Sequence, residues 1–118
     1  MIKSFEDFEV YQRAYNLSLE IHTKSLSFPK IEQYGLASQI RRSTKSIVVN
    51  IAEGHGKKSS TAEFKRYLNI SLGSTSETRV HLRYCKDLGY LSFNEYQYFD
   101  SKYVEIAKML SKLIQVWR

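Results

Sequence analysis

The sequence predicts an all-α protein, an antiparallel four-helix bundle in up-down-up-down order. Apolar residues recur every three or four positions through four long stretches, the period that stacks side chains on one helical face. One proline and five glycines are spread over 118 residues, too few for the turns of an all-β fold. The links are short and carry helix-capping residues, which makes consecutive helices antiparallel neighbours. The length fits one domain, residues 1–118, large enough to bury a core.

The first helix is expected to start between Phe5 and Phe8, with Ser4 as N-cap and Glu6 and Asp7 suited to the positive end of the helix dipole. Phe8, Tyr11, Tyr15, Leu19, His22 and Leu26 follow one face, which Ala14, Leu17 and Ile21 widen. His22 reads as a packing residue, since no second metal ligand stands a turn away. Phe28-Pro29-Lys30 ends the helix, because a residue before proline avoids helical geometry.

The second helix, Leu36 to Gly54, shows three faces. Leu36, Ile40, Thr44, Ile47 and Ile51 form the core face. Gln39, Ser43, Ser46 and Asn50 form a neutral polar stripe, and Arg41, Arg42 and Lys45 a cationic one. Gly54 is expected to end the helix in a left-handed conformation, with Gly56 as a second stop. The following link is basic and hydroxyl-rich, but its spacing does not match a nucleotide-binding P-loop and no strand precedes it. Ser60 with Glu63 fits a capping box that opens the third helix, about Thr61 to Leu88. There Phe64, Leu68, Ser71, Thr75, Thr78 and Leu82 share a face that is large at its ends and small in its middle. The run 71–78 is poor in helix propensity, which implies that the second helix approaches closely there and meets these hydroxyls with its polar stripe. Gly89 caps the third helix, and Ser92 with Glu95 opens the fourth. Tyr96, Phe99, Tyr103, Ile106, Leu110, Leu113 and Trp117 then recur at helical spacing beside Met109 and Ile114.

The net charge is +6, and it is unevenly placed. Residues 36–66 hold seven Lys/Arg against Glu53 and Glu63, whereas residues 1–35 are net −1 and residues 67–118 net +2. Localised positive charge is the electrostatic footprint of a polyanion partner. The candidate nucleic-acid-binding residues are therefore Arg41, Arg42, Lys45, Lys57, Lys58, Lys65 and Arg66. Arginine forks grip phosphates at two points and lysines add unoriented charge. No base-reading module is recognisable, so contact by shape and charge is expected.

An enzyme would have to use Asn50, His55, Glu53 and Glu77, the last two as a carboxylate pair. No His/Cys cluster supplies metal ligands, and Cys85 is the single cysteine. The reading is a non-enzymatic protein without cofactor or metal. Gln39, Ser46, Asn50, Glu53 and Glu77 are expected to form a polar network that sets register between helices. The alternative function is a protein-interaction scaffold with no direct nucleic-acid contact. It rests on nine tyrosines, six phenylalanines and Trp117, since aromatic residues favour interfaces. Tyr84, Tyr90, Tyr98 and Tyr103 are its candidate subunit contacts. No run approaches the ~20 apolar residues of a membrane span. The N-terminus does not resemble a signal peptide, and a lone cysteine suits a reducing compartment, so a cytoplasmic location is expected.

Several strings also resemble a known family. Tyr34-Gly35-Leu36-x-x-Gln39-Ile40-Arg41-Arg42-x-x-x-Ser46-Ile47-x-x-Asn50-Ile51-Ala52-Glu53-Gly54 is similar to the bacterial 23S rRNA-intervening sequence proteins. The similarity continues through Glu63-Phe64-x-x-Tyr67-Leu68, Gly73-Ser74-x-x-Glu77 and Leu88-Gly89-Tyr90-Leu91, and departs at Thr78, where a larger apolar residue is expected. The resemblance implies a four-helix bundle that assembles as a ring-like homopentamer, with some members encoded inside large ribosomal RNA genes. It also implies a relation to the accessory variability determinant of diversity-generating retroelements, a basic pentameric barrel that works with a reverse transcriptase and nucleic acid. The partners it suggests are further copies of the chain, RNA or DNA, and a nucleic-acid enzyme. It implies no settled biochemical activity.

Overall fold

Capping residues place two of the four helix starts in the computed structural model, which describes residues 2–118. The helices are α1 (Glu9–Ser25), α2 (Leu36–Gly56), α3 (Thr61–Asp87) and α4 (Phe93–Val116), and the described residues contain no strand. Ser92 accepts from the Glu95 amide while Glu95 takes the Ser92 amide, so α4 opens with a complete capping box. Ser60 caps α3 through the Glu63 amide, but the Glu63 carboxylate turns to Arg66 instead of closing the box. Ser4 caps a 3-10 turn, Phe5–Asp7, rather than α1 itself. At the end of α3, Gly89 takes φ +83°, and the Tyr90 and Gly89 amides bond to the Cys85 and Lys86 carbonyls. This is a Schellman motif, whose left-handed residue is best filled by glycine.

Sequence neighbours are spatial neighbours. The helices pack in the cycle α1–α2–α3–α4, α4 closes against α1, and α2–α3 is the most extensive seam. The result is the up-down bundle expected, 44 × 24 × 20 Å.

The α2–α3 seam is built as its hydroxyls suggest. Ser71 Oγ donates to the Ile47 carbonyl at 2.8 Å, and Thr78 Oγ1 lies 2.9 Å from both Ser43 Oγ and the Ser74 carbonyl. Ser46 and Ser74 share a 2.8 Å hydrogen bond. Thr78, the departure from the family pattern, is thus a bonded buried hydroxyl. Ser71→Leu is expected to cost about 2–3 kcal/mol in urea denaturation, because no space exists for the added carbons and the Ile47 carbonyl loses its donor.

Two expectations change. Gly54 does not end α2, which continues through Gly56, and neither glycine is left-handed. Gly54 is instead a contact: a Cβ there would stand 2.8 Å from Tyr67 Cβ and 3.0 Å from Phe64 Cδ1. The buried arc of α1 is also rotated from the one expected. Val10, Ala14, Leu17, Ser18, Ile21 and Ser25 face inward, while Tyr15, Leu19 and Leu26 are 45, 51 and 61% exposed. The helix sits between α2 and α4, and its inward arc mixes the large Val10, Leu17 and Ile21 with the small Ala14, Ser18 and Ser25.

Phe64 anchors the core at the end where α2 meets α3. Its ring meets Trp117 edge-on at 4.6 Å and lies 6.0 Å from Phe8. Tyr103 is wholly buried, so it is not a subunit contact of this fold, and its hydroxyl has no partner. Burial drives that phenol well above its usual range. Tyr103→Phe is expected to be neutral or to stabilise by about 1 kcal/mol, read as an unchanged or raised Tm, because it removes a desolvated hydroxyl without losing a bond.

Candidate functional site

The seven candidate cations do not form one patch. Arg41 is a structural residue. Its guanidinium donates to Ser25 Oγ at 2.7 Å, the Gln33 carbonyl at 3.0 Å and Gln33 Oε1 at 3.4 Å. It ties α2 to the end of α1 and the link between them. Arg66 is neutralised by Glu63 at 2.8 Å and also covers the Tyr67 ring at 4.6 Å. That pairing holds the Glu63 carboxyl below its usual range and raises the Arg66 guanidinium.

Five cations remain without an ion pair among the described residues: Arg42, Lys45, Lys57, Lys58 and Lys65. Arg42 and Lys45 are exposed one turn apart on the outer face of α2. Lys57 and Lys58 are exposed just past the end of that helix, with Lys65 half-buried in the second turn of α3. At 1.5 Å per residue, the two groups on α2 are separated by about 18 Å. Lys58 Nζ donates to His55 Nε2 at 3.3 Å. Burial first, and the lysine charge second, hold that imidazole below its ordinary value.

The expected polar network is smaller than its five residues. Asn50 Nδ2 donates to the Ser46 carbonyl at 2.8 Å and to Ser46 Oγ at 3.1 Å, and Ser46 reaches Ser74 across the seam. Gln39 and Glu53 are exposed and make no side-chain hydrogen bond among the described residues. Glu77 bonds His81 Nε2 at 3.1 Å on its own helix. Gly54 packs on Tyr67 while Thr78 bonds Ser43, so Glu53 and Glu77 stand at opposite ends of the α2–α3 seam and form no carboxylate pair. Helix packing recruits short side chains that lie in the seam and leaves carboxylates with water, where hydration favours them.

Cys85 is wholly buried, and burial pushes its thiol up to about 12, so it is no nucleophile at neutral pH. No group of three His, Cys, Asp or Glu among the described residues is placed to hold a metal ion. None of the helices is long and apolar enough to cross a membrane. The surface feature that sequence reasoning missed is aromatic. Tyr15, assigned to the core by its spacing, is half-exposed and stacks on Tyr11, with centroids 6.1 Å apart and planes at 17°. Periodicity alone did not distinguish the two edges of the apolar face of α1.

These features define a class: small four-helix up-down bundles, here with exposed cations free of acidic partners on α2 and just beyond its end. The chain belongs to the 23S rRNA-intervening sequence protein family, whose model matches residues 6–112. The fold agrees with a solved structure from Bacteroides thetaiotaomicron VPI-5482, a protein of unknown function from the S23 ribosomal protein family. The two superpose with a TM-score of 0.83 at 26% identity, over 91% of this chain and 96% of that one. No curated protein matches the chain.

Proposed function

We propose that this chain is a non-catalytic cytoplasmic protein that binds nucleic acid, RNA in particular, as a subunit of a homo-oligomeric ring. The observation that carries the reading is the set Arg42, Lys45, Lys57 and Lys58, exposed and free of acidic partners on and just beyond α2. Charges without internal partners are free to replace the counterions of a phosphate backbone. Arg41 and Arg66 drop out of the binding set, since one holds the fold and the other is paired.

Self-association is supported by a second surface. Val80, Tyr84 and Leu88 lie along the outer side of α3 at helical spacing, all exposed in the single chain. An exposed apolar stripe of three residues over two helical turns supports a protein contact. The family resemblance suggests five copies. The same stripe is what favours the scaffold alternative, in which the ring contacts protein only.

A gel shift with structured RNA across a salt series tests the binding. If three phosphates are neutralised per site, affinity falls about 40-fold between about 50 and 200 mM salt. Arg42→Ala/Lys45→Ala/Lys58→Ala should abolish the shift and leave the helical circular dichroism unchanged. Salt-independent binding, or binding that survives the triple variant, overturns the assignment. Native mass spectrometry reads the number of copies, and a monomer at micromolar concentration defeats the ring.

A further inference from the structure

We infer that the α1–α2 face is a track for single-stranded nucleic acid, with bases stacking on the Tyr11–Tyr15 pair and phosphates held by Lys58 at one end and by Lys45 and Arg42 at the other. This rests on the nucleic-acid reading above and narrows it to one class of strand.

Position carries the first half of the inference. The bond from Arg41 to Ser25 and the contact of Phe8 with His55, at 5.5 Å between ring centroids, set the antiparallel register of α1 on α2. Counted from those two anchors, Tyr11 lies level with residues 52–55 of α2 and Tyr15 with residues 48–51, beyond Lys45 and short of Lys58. The Lys58 ammonium is held near the start of α1 by His55. Lys45 sits about 5–9 Å along the axis from the level of Tyr15, at 1.5 Å per residue. The gap that splits the basic residues into two groups is thus filled by an aromatic pair.

The chemistry of that pair carries the second half. Tyr11 is braced edge-on by Phe5 at 5.0 Å and stacks on Tyr15. Tyr11 is half-buried, so Tyr15, 45% exposed, is the ring open to a base. A braced tyrosine loses little conformational freedom when a base stacks on it, and every base has a π-face to offer. A duplex keeps those faces inside its own stack and presents only phosphate rails. An aromatic platform between cations is therefore matched to a single strand.

The experiment is fluorescence anisotropy of the full chain with a labelled unstructured RNA of about 20 nucleotides and with the same strand in a blunt duplex. The single strand should bind at least about tenfold more tightly than the duplex, and Tyr15→Ala should weaken single-strand binding by about tenfold while leaving duplex binding unchanged. Tyr15→Phe should keep full single-strand binding, because it retains the ring, and Phe93→Ala, an exposed aromatic at the start of α4, should have no effect. Equal affinity for the two forms, or a Tyr15→Ala variant that binds the single strand as well as the parent, overturns the track and leaves the charge-based reading standing. Binding of neither form at low salt overturns that reading too.

Discussion

Gly54→Leu is expected to destabilise the protein by about 3 kcal/mol or more, and Gly54→Ala by about 1–2 kcal/mol. The sign for alanine is the informative part. Inside an exposed helix, alanine is better than glycine by about 1 kcal/mol. At position 54 that gain is outweighed, because the new Cβ would stand 2.8 Å from Tyr67 Cβ and 3.0 Å from Phe64 Cδ1. Tyr67 Cβ is bound to its own backbone and cannot rotate away, so the two helices must separate. Separation in turn loosens Phe64, the ring that joins Phe8 and Trp117. The internal control is Gly73, which is helical too but has nothing within 4 Å of its added Cβ. Gly73→Ala should stabilise by about 0.5–1 kcal/mol. Urea denaturation with matched m-values distinguishes the pair. A Gly54→Ala variant as stable as the parent would mean that α2 and α3 do not approach this closely.

The second large effect separates two adjacent arginines. Arg41→Ala should cost about 2–3 kcal/mol, seen as a fall in Tm of roughly 10 °C, because it leaves the Gln33 carbonyl and Ser25 without their charged donor. Arg42→Ala should change stability by less than about 0.5 kcal/mol, since its side chain is exposed and unpaired. The ranking reverses for RNA. Arg42→Ala is expected to weaken binding and reduce the log–log salt slope by about 1. Arg41→Ala, measured well below its Tm, should leave that slope unchanged. Equal stability of the two variants would return Arg41 to the surface.

Much of the fold was legible because its signals are local. Core positions on α2, α3 and α4 follow from the spacing of Ile40, Ile47, Ile51, Phe64, Leu68, Leu82, Phe99, Ile106 and Leu110, all buried. The hydroxyl run of α3 announced a close helix, and Ser43, Ser46 and Ile47 meet it. The candidate site was less legible. Arg41, Arg42 and Lys45 look alike in a string of letters, and only the path of the chain after α1 shows that the first is consumed by Ser25 and Gln33. Arg66 was separable in principle, since Glu63 stands three residues away, a spacing that pairs charges on a helix.

By itself the sequence determined the helices, their order and most of their buried faces, because hydrophobic period, caps and chain breaks act within a few residues. Only the tertiary structure decided which edge of α1 turns inward, what Gly54 is for, and which cations stay free. Each of those depends on atoms far apart in sequence: Tyr67 against Gly54, Ser25 against Arg41, and α2 and α4 together against α1. Close packing and hydrogen bonding resolve such choices at distances of 3–4 Å, a scale that residue spacing does not encode.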